Sequence, residues 1–190
     1  MDEPVEHVRK ETDSTDDLTA LLEGRCFHVT LRGNWPRIKA AGAVLPNADG
    51  SLTTTFGRSD NSFFRTRNCV SVFDWRDGPA GEPGSFRSSC WPFQPAEPGN
   101  TGVAVLLLRR SVENRLLAWK DVCAHCHPSQ MIVPHVEAGH PGPIPLADIE
   151  NVFYLRIVED PEDPYAEFRR ALASDEAMRG PDATATGVGK

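Results

Sequence analysis

The chain has 190 residues, of which 39% are apolar and 25% charged, enough for one domain with its own core and ordinary for a globular protein. Its longest apolar run, Val103 to Leu108, is strand-sized and far too short to cross a bilayer, so no membrane partner is expected. The start, MDEPVEHVRKETDSTDD, is too acidic and polar for a signal peptide, and five cysteines, an odd number, argue against a disulfide framework; a cytoplasmic, reducing location follows.

The net charge of −7 is unevenly spread. Residues 1–23 carry eight acids and two bases (−6), and residues 147–190 ten acids and five bases (−5). The body, 24–146, holds thirteen bases against nine acids (+4), which admits a polyanionic partner without demonstrating one.

In chain order, residues 1–12 are polar and expected to be loose. Ser14 or Thr15 caps a short helix through Leu22, stopped by Gly24, which completes an acidic N-terminal segment, 1–23. Cys26 to Thr30 reads as a strand. Asn34 caps a helix from Trp35 to Ala41, with Pro36 in its first turn and Gly42 at its end. Asn68 to Trp75 is a second strand. Gly78 to Gly102 is rich in Pro, Gly and Ser with no period, and a loop of that length is usually functional or disordered. Val103 to Leu108 is a buried strand and Ser111 to Trp119 a short helix. Met131 to Glu137 reads as a strand bent by Pro134. Pro145 to Ile149 is a helical turn, Val152 to Val158 a last strand, and Tyr165 to Arg179 a C-terminal helix. The boundaries imply one α+β domain over 24–179 and a tail, 180–190.

Cys123-Ala124-His125-Cys126-His127, with His135 and His140 beyond, is the densest run of metal-ligand side chains. Cys-x-x-Cys-His is also the covalent haem attachment pattern, but that chemistry belongs to exported proteins. Two thiolates and an imidazole suit zinc, yet a strong zinc signal needs two matched knuckles and only one is present. The site set therefore includes no metal. A thioredoxin-like redox role lacks the βαβ unit that should accompany the motif.

Other short motifs fall in a suggestive order. Phe27-His28-Val29-Thr30 is followed by Asn34-Trp35-Pro36-Arg37-Ile38-Lys39-Ala40-Ala41-Gly42. Phe64-Arg65-Thr66-Arg67 then precedes the strand Asn68 to Trp75, and Val133-Pro134-His135-Val136-Glu137 precedes the last strand. This order resembles the ADP-ribosyltransferase-like fold, closest to the DarT-type DNA ADP-ribosyltransferases, over about 24–45, 64–76 and 131–158. Trp35 stands where that family usually shows Leu, and Ala-Gly-His-Pro-Gly-Pro after Glu137 is an unusual setting for its acid.

The resemblance implies a split, mostly antiparallel sheet with short helices. It implies mono-ADP-ribosyl transfer from NAD, the cofactor-substrate, to a macromolecular acceptor, with single-stranded nucleic acid among the candidates. Glu137 and Arg67 take the catalytic positions, and His28, Thr30 and Arg65 the NAD-binding ones. The chemistry suits them. Breaking the nicotinamide–ribose bond passes through an oxocarbenium-like state that a carboxylate stabilises. A histidine on a neighbouring strand holds a ribose, and an arginine meets the pyrophosphate. Phe86, Trp91 and Phe93, with Arg76 and Arg87, would place acceptor choice in the 78–102 loop. The competing reading is a non-catalytic binding module that uses the same cleft or a Cys/His zinc site.

Overall fold

The computed structural model describes residues 9–12, 15–52, 60–76, 102–127 and 130–156. The expected 78–102 loop, save its last residue, the helix from Tyr165 and the tail lie outside the described residues.

Strands buried on both faces need cover on both, and the chain supplies it from two directions. The main sheet contains β1 (Arg9–Thr12), β2 (Cys26–Leu31), β4 (Cys69–Asp74), β5 (Gly102–Leu108), β6 (Glu137–Pro141) and β8 (Ile149–Arg156). Their order is β1-β8-β5-β2-β4-β6, and only the β1–β8 pair is parallel. A two-stranded ribbon pairs β3 (Ala43–Val44) with β7 (Ile144–Pro145). The architecture is thus a mixed helix-and-sheet fold with a mostly antiparallel sheet and a few short helices.

β5 is buried at all seven positions and sits centrally between β2 and β8. One of its faces, Val103, Val105 and Leu107, packs with Phe27 and Val29 against Leu18 and Leu22 of α1 (Thr15–Leu22). The other, Ala104, Leu106 and Leu108, meets Trp35 of α2 (Trp35–Ala41) together with Val44 and Ile144 of the ribbon. A third cluster, Phe63, Phe64, Cys69 and Val122, seats the far end of β4 and β6.

Several expected elements stand where the sequence put them. α2 runs from Trp35 to Ala41 and ends at Gly42, whose φ of 73° is the left-handed conformation that glycine adopts without strain. Asn34, expected to cap it, instead donates its amide to the Thr30 hydroxyl at 3.0 Å and leaves the helix end uncapped by a side chain.

Other regions differ. Residues 9–12, expected loose, form β1 along β8; Arg-Lys-Glu-Thr has no apolar alternation to announce a strand, and charge is a common way to finish a sheet edge. The helix expected over 111–119 breaks into α3 (Arg110–Glu113) and α4 (Trp119–Val122). Between them Leu117 exchanges both backbone hydrogen bonds with Gly139 and so covers the outer edge of β6. Glu137 begins a strand instead of ending one. Pro134 and a positive φ of 60° at His135 turn the chain, and the N–H groups of both Val136 and Glu137 fold back onto the Val133 carbonyl.

Gly139 lies buried in β6 directly under Phe64, and an added Cβ would run into that ring at Cδ1. Gly139→Ala should therefore destabilise the fold by about 1–3 kcal/mol, the usual cost of overpacking. A chemical-denaturation midpoint unchanged from wild type would show that the Phe64 ring is free to move aside.

Candidate active site

The site begins with a defect in the sheet. Among the described residues β2 and β4 register only at Cys26↔Asp74 and Phe27↔Phe73. From His28 onward β2 pairs with β5, while β4 stays with β6 down to Cys69↔Pro141. Because Gly139 bonds outward to Leu117, Ser71 opposite it forms a non-hydrogen-bonded pair, and the Ser71 carbonyl faces β2. The parting of the strands would leave that carbonyl without a ladder donor.

His28 fills the parting. Its Nδ1 lies 2.8 Å from the Ser71 carbonyl oxygen. A carbonyl only accepts, so Nδ1 carries the proton and Nε2 presents a lone pair. The ring keeps a small surface open although it sits deep among protein atoms. That burial pushes its pKa below the ordinary histidine value, with the Ser71 bond opposing, so the ring is neutral near pH 7. Thr30, two residues along the same strand face, is buried, and its hydroxyl accepts from Asn34.

The same serine reaches the carboxyl. The Ser71 hydroxyl helps to hold down the Glu137 pKa, and the Val133 N–H donates to Glu137 Oε2 at 3.0 Å. Burial nevertheless dominates and pushes the Glu137 pKa above the usual carboxylate range, with these two groups holding it down only in part. A single residue of β4 therefore meets His28 through its carbonyl and influences Glu137 through its hydroxyl.

Glu137 opens onto a cavity of ≈ 130 Å³ whose described lining is Asp74, Arg76, Ala118, Trp119, Lys120 and His135 besides itself. Arg76 is held by Asp74 through Nε at 2.8 Å and Nη2 at 2.6 Å, and its Nη1 donates to the Glu113 carbonyl at 3.2 Å. Burial would raise the Asp74 pKa, but the Arg76 hydrogen bonds and charge outweigh it and hold the carboxylate below its usual range. Buried Cys26, whose thiol donates to Asp74 at 3.4 Å, is pushed far above the ordinary thiol range by burial first and the Asp74 charge second. The Trp119 and His135 rings meet edge-on with centroids 5.9 Å apart and form the aromatic wall.

Neither expected arginine is among the described residues that line this cavity. Arg65 and Arg67 flank the 3-10 turn that leads into β4. Arg65 binds the Asn47 carbonyl at 2.7 Å and Asp60 at 2.9 Å, which pins the 47–52 loop. Arg67 stacks on the Phe63 ring at 3.6 Å and donates to the Phe63 carbonyl. The cavity's cations are Arg76 and Lys120, which the motif reading did not select for NAD. Arg76 was within reach as a cation just past a strand end. Lys120 carried no such signal.

Cys123 and Cys126 donate their thiols to the Lys120 and Val122 carbonyls at 3.6 and 3.3 Å. Among the described residues no three His, Cys, Asp or Glu side chains come together as a metal-holding group, and no helix is long and apolar enough to span a membrane.

No family model matches the chain, and no curated protein or solved structure matches it either.

Ser71→Ala removes the hydroxyl from Glu137 but keeps the carbonyl that holds His28. The Glu137 pKa should rise further, read by NMR titration of its carboxyl carbon. A titration identical to wild type would show that the serine does not tune the acid.

Proposed function

We propose that this chain is an NAD-dependent mono-ADP-ribosyltransferase that uses Glu137 as its catalytic carboxylate. The observation that supports this most is the Ser71 bridge. It places a carboxyl of raised pKa and a neutral histidine on either side of one serine where β2 and β4 diverge, and the resemblance to DarT-type enzymes supplies the reading of those two residues.

In this reading His28 Nε2 accepts a hydrogen bond from a ribose hydroxyl, which a neutral ring does well. The nicotinamide-bearing ribose lies over Glu137. As the glycosidic bond lengthens, positive charge develops on the sugar, and the ionised carboxylate in a poorly solvated site stabilises it far more than water would. The leaving nicotinamide departs without needing an acid, since its ring nitrogen becomes neutral as the bond breaks. Glu137 then accepts the proton of the incoming acceptor nucleophile. Arg76 and Lys120 supply positive charge for the pyrophosphate, in place of Arg65 and Arg67. Lys120 makes no ion pair among the described residues, and Arg76 shares its charge with Asp74. The acceptor is a macromolecule, with nucleic acid the class that the basic body, 24–146, suits best.

The pH dependence follows from the raised Glu137 pKa. Only the ionised form works, so nicotinamide release should fall as pH drops through that pKa, at a higher pH than for an ordinary glutamate. For stability the sign is the reverse. A carboxyl with a raised folded pKa favours the folded state while protonated, and that contribution is lost as pH rises through the folded value.

Glu137→Gln should therefore lower nicotinamide release roughly a hundred- to thousandfold, the range for removing one preorganised charge-stabilising group. At neutral pH it should be at least as stable as wild type, with any advantage fading below about pH 4, where the wild-type acid is protonated in both states. A variant that releases nicotinamide at the wild-type rate would remove Glu137 from the mechanism. Wild-type protein that neither shifts its thermal midpoint with NAD nor consumes it would overturn the NAD assignment itself.

A further inference from the structure

The Cys-x-x-Cys pair has no role in ADP-ribosyl transfer, yet it follows directly on α4, whose first two residues line the cavity. Cys123 is exposed and Cys126 partly so, whereas Cys26 and Cys69 are buried. Cys123 opens a 3-10 turn, Cys123–His125, and Cys126 is the residue that ends it. In such a turn side chains three apart eclipse, and three steps of ~2.0 Å bring the two Cα atoms to about 6 Å, within the span a disulfide bridges.

Both thiols are tied to α4. Cys123 donates to the Lys120 carbonyl and Cys126 to that of Val122. α4 is only four residues long, and its first two, Trp119 and Lys120, line the cavity beside Glu137. Cys126 also packs against the Phe63, Phe64, Cys69 and Val122 cluster.

We propose that Cys123 and Cys126 form a thiol–disulfide exchange site whose oxidation by a small disulfide reshapes the Trp119–Lys120 wall of the cavity. The Cys123 sulfur, as thiolate, attacks one sulfur of the small disulfide. That S–S bond breaks, a mixed disulfide forms and one small thiol leaves. Cys126 then gives its proton to solvent and attacks the Cys123 sulfur, and the second small thiol leaves. The protein has lost two hydrogens with their electrons, and the small disulfide has gained them. Burial holds the Cys126 thiol above its ordinary pKa, with the Arg67 charge opposing, which suits the resolving partner better than the attacking one. Oxidation removes both S–H donors from α4's carbonyls. The end of α4 then keeps the Cys123 N–H bond to the Trp119 carbonyl but loses both thiol bonds, and the wall moves.

The inference does not depend on what the cavity binds. The full chain is equilibrated in buffers of graded oxidised-to-reduced glutathione, quenched with an alkylating reagent and mapped by peptide mass. The expected result is loss of two hydrogen masses and of all alkylation on the peptide that carries Cys123 and Cys126, reversed by reduced glutathione. Cys123→Ser and Cys126→Ser should each abolish the internal link. Over the same titration tryptophan emission should shift with the same midpoint, and Trp119→Phe should remove that shift. A glutathione adduct that never resolves, a link to another cysteine, or a disulfide that forms without moving the Trp119 signal would each overturn the proposal.

Discussion

Everything at the site hangs on the bond from the His28 imidazole to the Ser71 carbonyl. β2 and β4 are paired for two positions and then diverge, because β2 follows β5 and β4 follows β6. Divergence exposes backbone polar groups inside a protein, and an unmet buried acceptor costs about 1–3 kcal/mol. The His28 side chain meets that need at 2.8 Å. It acts as a peg in the seam, and its Nε2 keeps a lone pair. A histidine with a purely structural bond and one with a ligand-binding role are usually alternatives. In the proposed mechanism the two ring nitrogens divide the tasks.

The second constraint is electrostatic. Glu137 sits beside an arginine that is already matched: Arg76 is committed to Asp74, and the Arg76 guanidinium also holds the Glu113 carbonyl. No guanidinium bond reaches Glu137 among the described residues. Burial can therefore raise its pKa, with only the Ser71 hydroxyl and the Val133 N–H to hold it down. Had Arg76 been shared with Glu137, the carboxylate would be stabilised before any substrate arrived and would have less to offer a developing cation.

How much of this could be read from the residues alone depends on range. α2 with its Gly42 stop, the strand at Cys26 and the buried run at Val103 carry local signals, and the structure keeps them. β1 carried none, since its stability comes from β8, more than a hundred residues away. The acid at 137 and the histidine at 28 were legible as motif residues. Ser71 was not, because what it does depends on which way its carbonyl faces, and that is decided by Leu117 pairing with Gly139. Arg65 and Arg67 matched a motif by position, but their side chains are drawn to Asn47, Asp60 and Phe63, contacts no linear spacing announces. The turn at His135, with its positive φ, likewise converted an expected strand end into a strand start and placed Glu137 at the cavity rim.

The most direct test of the account is a crystal structure of the full chain with an NAD analogue in which carbon replaces the ring oxygen of the nicotinamide-bearing ribose, so that no oxocarbenium-like state forms and the complex does not turn over. The account predicts the nicotinamide-side ribose against the Glu137 carboxylate, a ribose hydroxyl on His28 Nε2, and the His28–Ser71 bond unbroken. An analogue that binds away from the β2–β4 parting, or that enters it only by displacing His28 from Ser71, would contradict it.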